Sequence, residues 1–107
     1  MVYIHANEGK WIEAEAGIFA KILNLDTERR RVTALVRMRP GSAYADPRIL
    51  GREGVLVLEG SGYCGARLLR PGDYHRAEVG SIHLDTRTDE GSLMLVTAPL
   101  QNEMLAT

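Results

Sequence analysis

Cysteine is almost absent from this sequence: Cys64 is the single one among 107 residues. No internal disulfide can form, and a reducing compartment is permitted. Long apolar runs are missing too. No stretch approaches the roughly 20 residues that a membrane-spanning helix needs. Met1-Val2-Tyr3-Ile4-His5 has no basic segment followed by an apolar run, so no secretion signal is read there. These absences lead to the expectation of a cytoplasmic protein that does not enter a membrane. Charge of one sign is also scarce: the formal net charge is -1, which argues against nucleic acid or an anionic membrane as the main partner. Repeats, linkers and low-complexity segments are not found. The length suits one domain over residues 1–107, with a core that removes roughly two-thirds of the unfolded surface from water.

What is present is ordinary in amount and informative in order. Hydrophobic residues make up 45% and charged residues 25%, as in globular chains. Glycine and proline recur throughout, from Gly9 and Gly17 through Pro40-Gly41 and Pro71-Gly72 to Gly91 and Pro99. They leave segments of about four to ten residues, the length of strands rather than helices. From Arg31 to Arg39, Val32, Ala34, Val36 and Met38 share one face, and Thr33, Leu35, Arg37 and Arg39 share the other. Val55-Leu56-Val57-Leu58 and Leu93-Met94-Leu95-Val96 are apolar on both faces, as central strands are. Further strands are expected over Ile18–Leu25, Ala66–Leu69, Asp73–Ala77 and Ser81–Arg87. Asp26-Thr27-Glu28-Arg29-Arg30-Arg31 holds five charges in six residues and reads as a solvated hairpin turn. Leu100 to Thr107 fits either a short helix or a tail. Many short strands with frequent turns indicate an all-β sandwich or barrel.

Two stretches narrow this further. Arg39 to Gly60 reads RPGSAYADPRILGREGVLVLEG, and Leu68 to His83 reads LLRPGDYHRAEVGSIH. Their order and spacing resemble the cupin superfamily, most of all the ChrR-like cupins found in zinc-binding anti-sigma factors and some small dioxygenases. The resemblance covers roughly Trp11 to Ala98. It implies a small antiparallel jelly-roll barrel, often dimeric, with a pocket inside. In cupins with an intact metal site, the first motif carries His-x-His and then Glu before the closing Gly, and the second carries Gly-x-x-His. Glu53 falls on the carboxylate position and His83 on the last histidine. The other two positions hold Pro47 and Ile49, which have no lone pair to give a metal. Position 78, where proline is usual, is Glu78.

Two of four ligands would hold a metal weakly, so no metal and no cofactor are expected. A relocated site would need His75 or Asp46 as a third donor, and His75 with Glu53 and His83 would make the two-histidine, one-carboxylate set of non-haem iron oxygenases. Other readings stand beside these. His83 lies between Ile82 and Leu84 and suits a surface as well as a cavity. His75 reads as a surface strand residue or as a cavity residue. Glu53 shares its face with Val55, Val57 and Glu59, so it points into the barrel or sits at its wetted rim. An inward Glu53 would need a partner, with His83 first and Arg37 second. Tyr44 and Tyr74 lie near the two motif turns and suit a pocket mouth or rim packing. Cys64 has no base near it in sequence and reads as a small buried residue. GSGYCG, residues 60–65, reads as turns, Trp11 as an anchor for the first residues, and His5 carries no assignment.

The expected protein is therefore a cupin with a decayed metal site, binding a small molecule or acting as a regulatory module rather than as an enzyme. Glu53, His83, His75, Arg37 and Tyr44 are the candidate cavity residues. The alternatives are a metal-dependent, oxygenase-like enzyme and a structural dimerisation subunit. A homodimer is expected in each case, with the chain up to Trp11 placed to pair across a two-fold axis.

Overall fold

The computed structural model describes residues 1–45, 48–49, 51–83 and 85–100, with residues 48, 49 and 83 described by their backbone alone. Eleven strands are found among them: β1 (Trp11–Glu15), β2 (Ile18–Asp26), β3 (Arg31–Met38), β4 (Arg48–Ile49), β5 (Glu53–Gly60), β6 (Gly62–Cys64), β7 (Arg67–Leu69), β8 (Tyr74–Ala77), β9 (Ile82–His83), β10 (Thr86–Arg87) and β11 (Ser92–Pro99). Every pairing is antiparallel. Six strands form one sheet in the order β1-β2-β3-β11-β5-β8, three form a second in the order β10-β6-β7, and β4 pairs with β9. This is an all-β jelly roll. No described helix is long and apolar enough to cross a membrane.

Alternation sets what faces inward. In β3, Val32, Ala34, Val36 and Met38 are buried, while Arg37 is exposed. Across the large sheet Val36, Met94 and Val57 stand in one register row, and Ala34, Val96 and Val55 in the next. Ile18, Val36, Met38, Val55, Val57 and Met94 form the core cluster, with Tyr44, Leu69 and Val96 packed against it. The two-sided apolar strands β5 and β11 each have a neighbour on both sides, as their composition implies.

Turns account for the breaks. Between β2 and β3, the Asp26 carboxylate accepts the Arg29 backbone N–H at 3.0 Å and its guanidinium at 3.1 Å. These contacts, the backbone N–H foremost, hold the Asp26 carboxyl below its ordinary pKa. The charged run is the hairpin turn its composition indicates. Gly60 ends β5 with φ of 72°, and a Cβ there would collide with the Gly91 carbonyl. Only glycine fits such a position without strain.

Several expectations need correction. The stretch Ser81–Arg87 is two short strands rather than one, because Asp85 takes φ of 56° and interrupts the extended chain. Residues 62–64 of the expected turn stretch form β6, and β1 and β4 were not anticipated. Glu59 does not share the face of Glu53. A bulge between Val57 and Glu59 against Leu93–Met94 turns Glu59 outward, beside Arg37. Leu84, Asp46, Pro47 and residues 101–107 lie outside the described residues, and with them the reading of Asp46 as a substitute ligand and that of the chain's last residues.

Candidate functional site

A cavity of about 70 Å³ lies between the inner face of the large sheet and the three-stranded sheet. Its apolar wall comes from the large sheet: Met38, Val55, Val57, Met94 and Val96. Those side chains reach it because β3, β5 and β11 alternate in phase. Leu69 adds to the wall from β7. Polar groups enter at the edges. Glu53 and His75 come from β5 and β8, Tyr63 and Cys64 from β6, and Thr86 and Arg87 from β10. Tyr44 reaches in from the loop after β3, fixed where its N–H bonds the Thr86 carbonyl at 2.9 Å.

Most sequence-derived candidates meet here. Glu53 is half-buried and lines the cavity, so its inward and rim readings merge. Tyr44 lines it as well. His75 pairs with Val55, whose side chain points inward, and lines the cavity while also reaching an open groove at the surface. That face is readable in YHRA, where exposed Tyr74 and Arg76 alternate with half-buried His75 and buried Ala77. Tyr74 itself is 61% exposed and does not line the cavity. For His83 the described backbone pairs with Arg48, which joins the strand of the second motif to the first. The position of its side chain lies outside what is described.

Arg37 is a correction. It stands on the outer face, half exposed, 3.8 Å from Glu59 and with its guanidinium 5.9 Å from the centre of the Trp11 ring. The same alternation that buries Val36 and Met38 turns Arg37 away from the cavity, so it cannot partner Glu53 there. Cys64 is the second correction. Its Sγ lies 3.7 Å from His75 Nε2, so a base does stand beside the thiol. The eleven-residue separation hid it, since the two sit on strands of different sheets.

Two further features were missed by sequence reasoning. Arg87 lies over the Tyr63 ring at 4.0 Å and is tied to Asp85 at 3.3 Å and Asp89 at 3.1 Å. The Thr86 Oγ1 is closed off from solvent and has no hydrogen-bond partner among the described residues. The Asp85, Arg87 and Asp89 alternation is local in sequence, whereas Tyr63 under Arg87 and the place of Thr86 beside Cys64 come from the pairing of β6 with β10.

The donor set decides whether the family's metal fits. Two of its four positions carry proline and isoleucine. Glu53 and His75 share the cavity, yet among the described residues no three His, Cys, Asp or Glu side chains come together as a metal would require. The resemblance puts Pro47 and Ile49 at two of the ligand positions, and the described side chains alone, which do not include that of His83, do not make up the family's ligand set.

Comparison with known proteins agrees with this architecture. A family model described as the ChrR cupin-like domain matches residues 1–102. Among solved structures, KdgF from Halomonas sp. superposes with a TM-score of 0.80 at 21% identity, covering 97% of this chain and 98% of that one. The polyketide cyclase RemF from Streptomyces resistomycificus gives 0.77 at 23% identity, covering 94% of this chain and 80% of that one. The anti-sigma factor ChrR, in complex with SigE from Rhodobacter sphaeroides, gives 0.71 at 20% identity over 89% of this chain and 50% of that one. At these identities the likeness is one of fold. No curated protein matches the sequence significantly.

Proposed function

This chain belongs to the ChrR cupin-like domain family, and from that premise we propose that it is a small-molecule-binding or regulatory module whose cavity works without a metal ion. The observation that carries this reading is the cavity itself: an apolar wall with Glu53, His75 and Tyr44 at its edges. Binding sites are usually built this way, apolar surface giving affinity and a few polar groups giving orientation. At about 70 Å³ the space suits a compound of few atoms, since one water occupies roughly 10–15 Å³ on this measure. A small, mostly apolar carbonyl or hydroxyl compound matches it, with its polar atom toward Glu53 or His75.

The enzyme reading has one observation in its favour, the meeting of Glu53 and His75 in one cavity. Its third donor would be His83, whose side chain lies outside what is described. The purely structural reading would be served best by a barrel filled with side chains, which the cavity does not match.

Titrating methyl-labelled protein with a panel of small ketones, phenols and alcohols tests the proposal by NMR. The expected result is shifts concentrated at the methyls of Val55, Val57, Met94 and Val96 for at least one compound class. Glu53→Gln should weaken that binding about tenfold, the loss of one charge-assisted hydrogen bond. Shifts spread over the outer surface, or none for any class, would overturn it.

A further inference from the structure

The cavity wall holds a nucleophile, a base and an idle hydrogen-bond donor next to one another. Cys64 Sγ lies 3.7 Å from His75 Nε2, and both groups are part-buried. Cys64 is paired in register with Thr86 across β6 and β10. The Thr86 hydroxyl is buried and unmatched among the described residues. A buried hydroxyl left without a partner forfeits its hydration with nothing in return, so such a group normally has a reason to be there. All three residues line the same cavity. Cys64 and His75 also line an open groove on the other side, with Ser81 and Ile82, so the pair stands in a wall shared by the interior and the surface.

We propose that Cys64 is a covalent capture site for small α,β-unsaturated carbonyl compounds, with His75 as its base and Thr86 as the donor to the carbonyl oxygen. The thiolate, not the thiol, attacks carbon, so a base within reach of Sγ governs the reaction. With His75 in the tautomer protonated on Nδ1, Nε2 accepts the thiol proton. The sulfur lone pair forms a bond to the β-carbon of the enone. The electrons of the carbon–carbon double bond shift to give an enolate, whose oxygen accepts a hydrogen bond from Thr86. The imidazolium then returns its proton to the α-carbon. The product is a thioether with the imidazole restored, and no oxidant or reductant is consumed. The apolar walls favour an uncharged carbon electrophile over an ionic one. This inference goes beyond reversible binding and does not depend on it, since a bond to sulfur accumulates product even from a reagent that the cavity holds too weakly to detect at equilibrium.

The test is the rate of thioether formation with methyl vinyl ketone, followed by intact mass on the full chain, with Cys64→Ser as the blank. At neutral pH the protein should react roughly tenfold or more faster than N-acetylcysteine, and His75→Gln should remove that advantage. Thr86→Val should slow methyl vinyl ketone but not iodoacetamide, which has no enone oxygen to receive the hydrogen bond. The comparison with N-acetylcysteine needs no variant and stands even if a substitution impairs folding. A wild-type rate no faster than N-acetylcysteine would overturn the proposal, as would an unchanged rate in folded His75→Gln. A failed NMR titration with a fast thiol reaction would count against the reversible-binding reading alone.

Discussion

Val36 and Val55 both belong to the buried core, 7% and 9% exposed, and differ in what lies before them. Val55 lines the cavity, whereas Val36 packs among neighbours without reaching it. An added methyl therefore has room at one and none at the other. Val55→Ile should change stability by less than about 0.5 kcal/mol, and Val36→Ile should cost about 1–3 kcal/mol through overpacking. Denaturant unfolding of the two variants measures the difference. Equal costs would mean that the cavity closes in solution. At this scale much of the site was legible. The position of Glu53 follows from its phase with Val55 and Val57, and the strand pattern of β3 named its buried residues one by one. The same pattern already excluded Arg37 from the cavity, since it alternates with Val36 and Met38. Cys64 beside His75 was not legible, because only the packing of one sheet over another brings them together.

Among the elements, long alternating strands were easier to read than short ones. β3, β5 and β11 each run to eight residues, enough for a period of two to show. β4, β9 and β10 have two residues each, and no periodicity can be seen in two. The bulge that turns Glu59 outward has no signature in EGVLVLEG, since it is set by how β5 meets β11. The first ten residues show another relation that sequence reading did not reach. Lys21 is 2% exposed on β2, and its ammonium donates to the carbonyls of His5 and Ala6 at 3.4 and 3.1 Å. Its stem packs so near Gly9 that a Cβ there would lie 2.7 Å from Lys21 Cε. Lys21 thus ties the leading segment to the outer face of the sheet. Lys21→Met keeps the stem and removes both hydrogen bonds. It should destabilise that segment by about 1–3 kcal/mol and speed amide exchange over residues 1–10, with β3 and β11 unchanged. Exchange measured by mass spectrometry checks this, and uniform acceleration across the sheet would contradict a local tie.

For the whole molecule, the outer face of the large sheet bears on assembly. Leu35, Leu95 and Leu56 stand in one register row there and are only half-buried. β1 forms an edge of the same sheet, with Trp11 and Ile12 exposed on it. Edges and apolar faces of this kind favour pairing with a second copy. Light scattering at micromolar concentration should therefore return about twice the 11.8 kDa of one chain, and a mass of one chain would rule the pairing out.

The central claim is that a cupin barrel here works through its cavity and not through a metal. It rests on the resemblance, which puts Pro47 and Ile49 at two ligand positions, and on a cavity whose wall is mostly apolar. Metal analysis of protein purified without chelator or affinity tag tests it most directly. The account predicts zinc, iron, manganese and nickel far below one per chain, and no recovery of stoichiometric binding on adding them. One tightly held metal per chain, lost on Glu53→Gln, would contradict it.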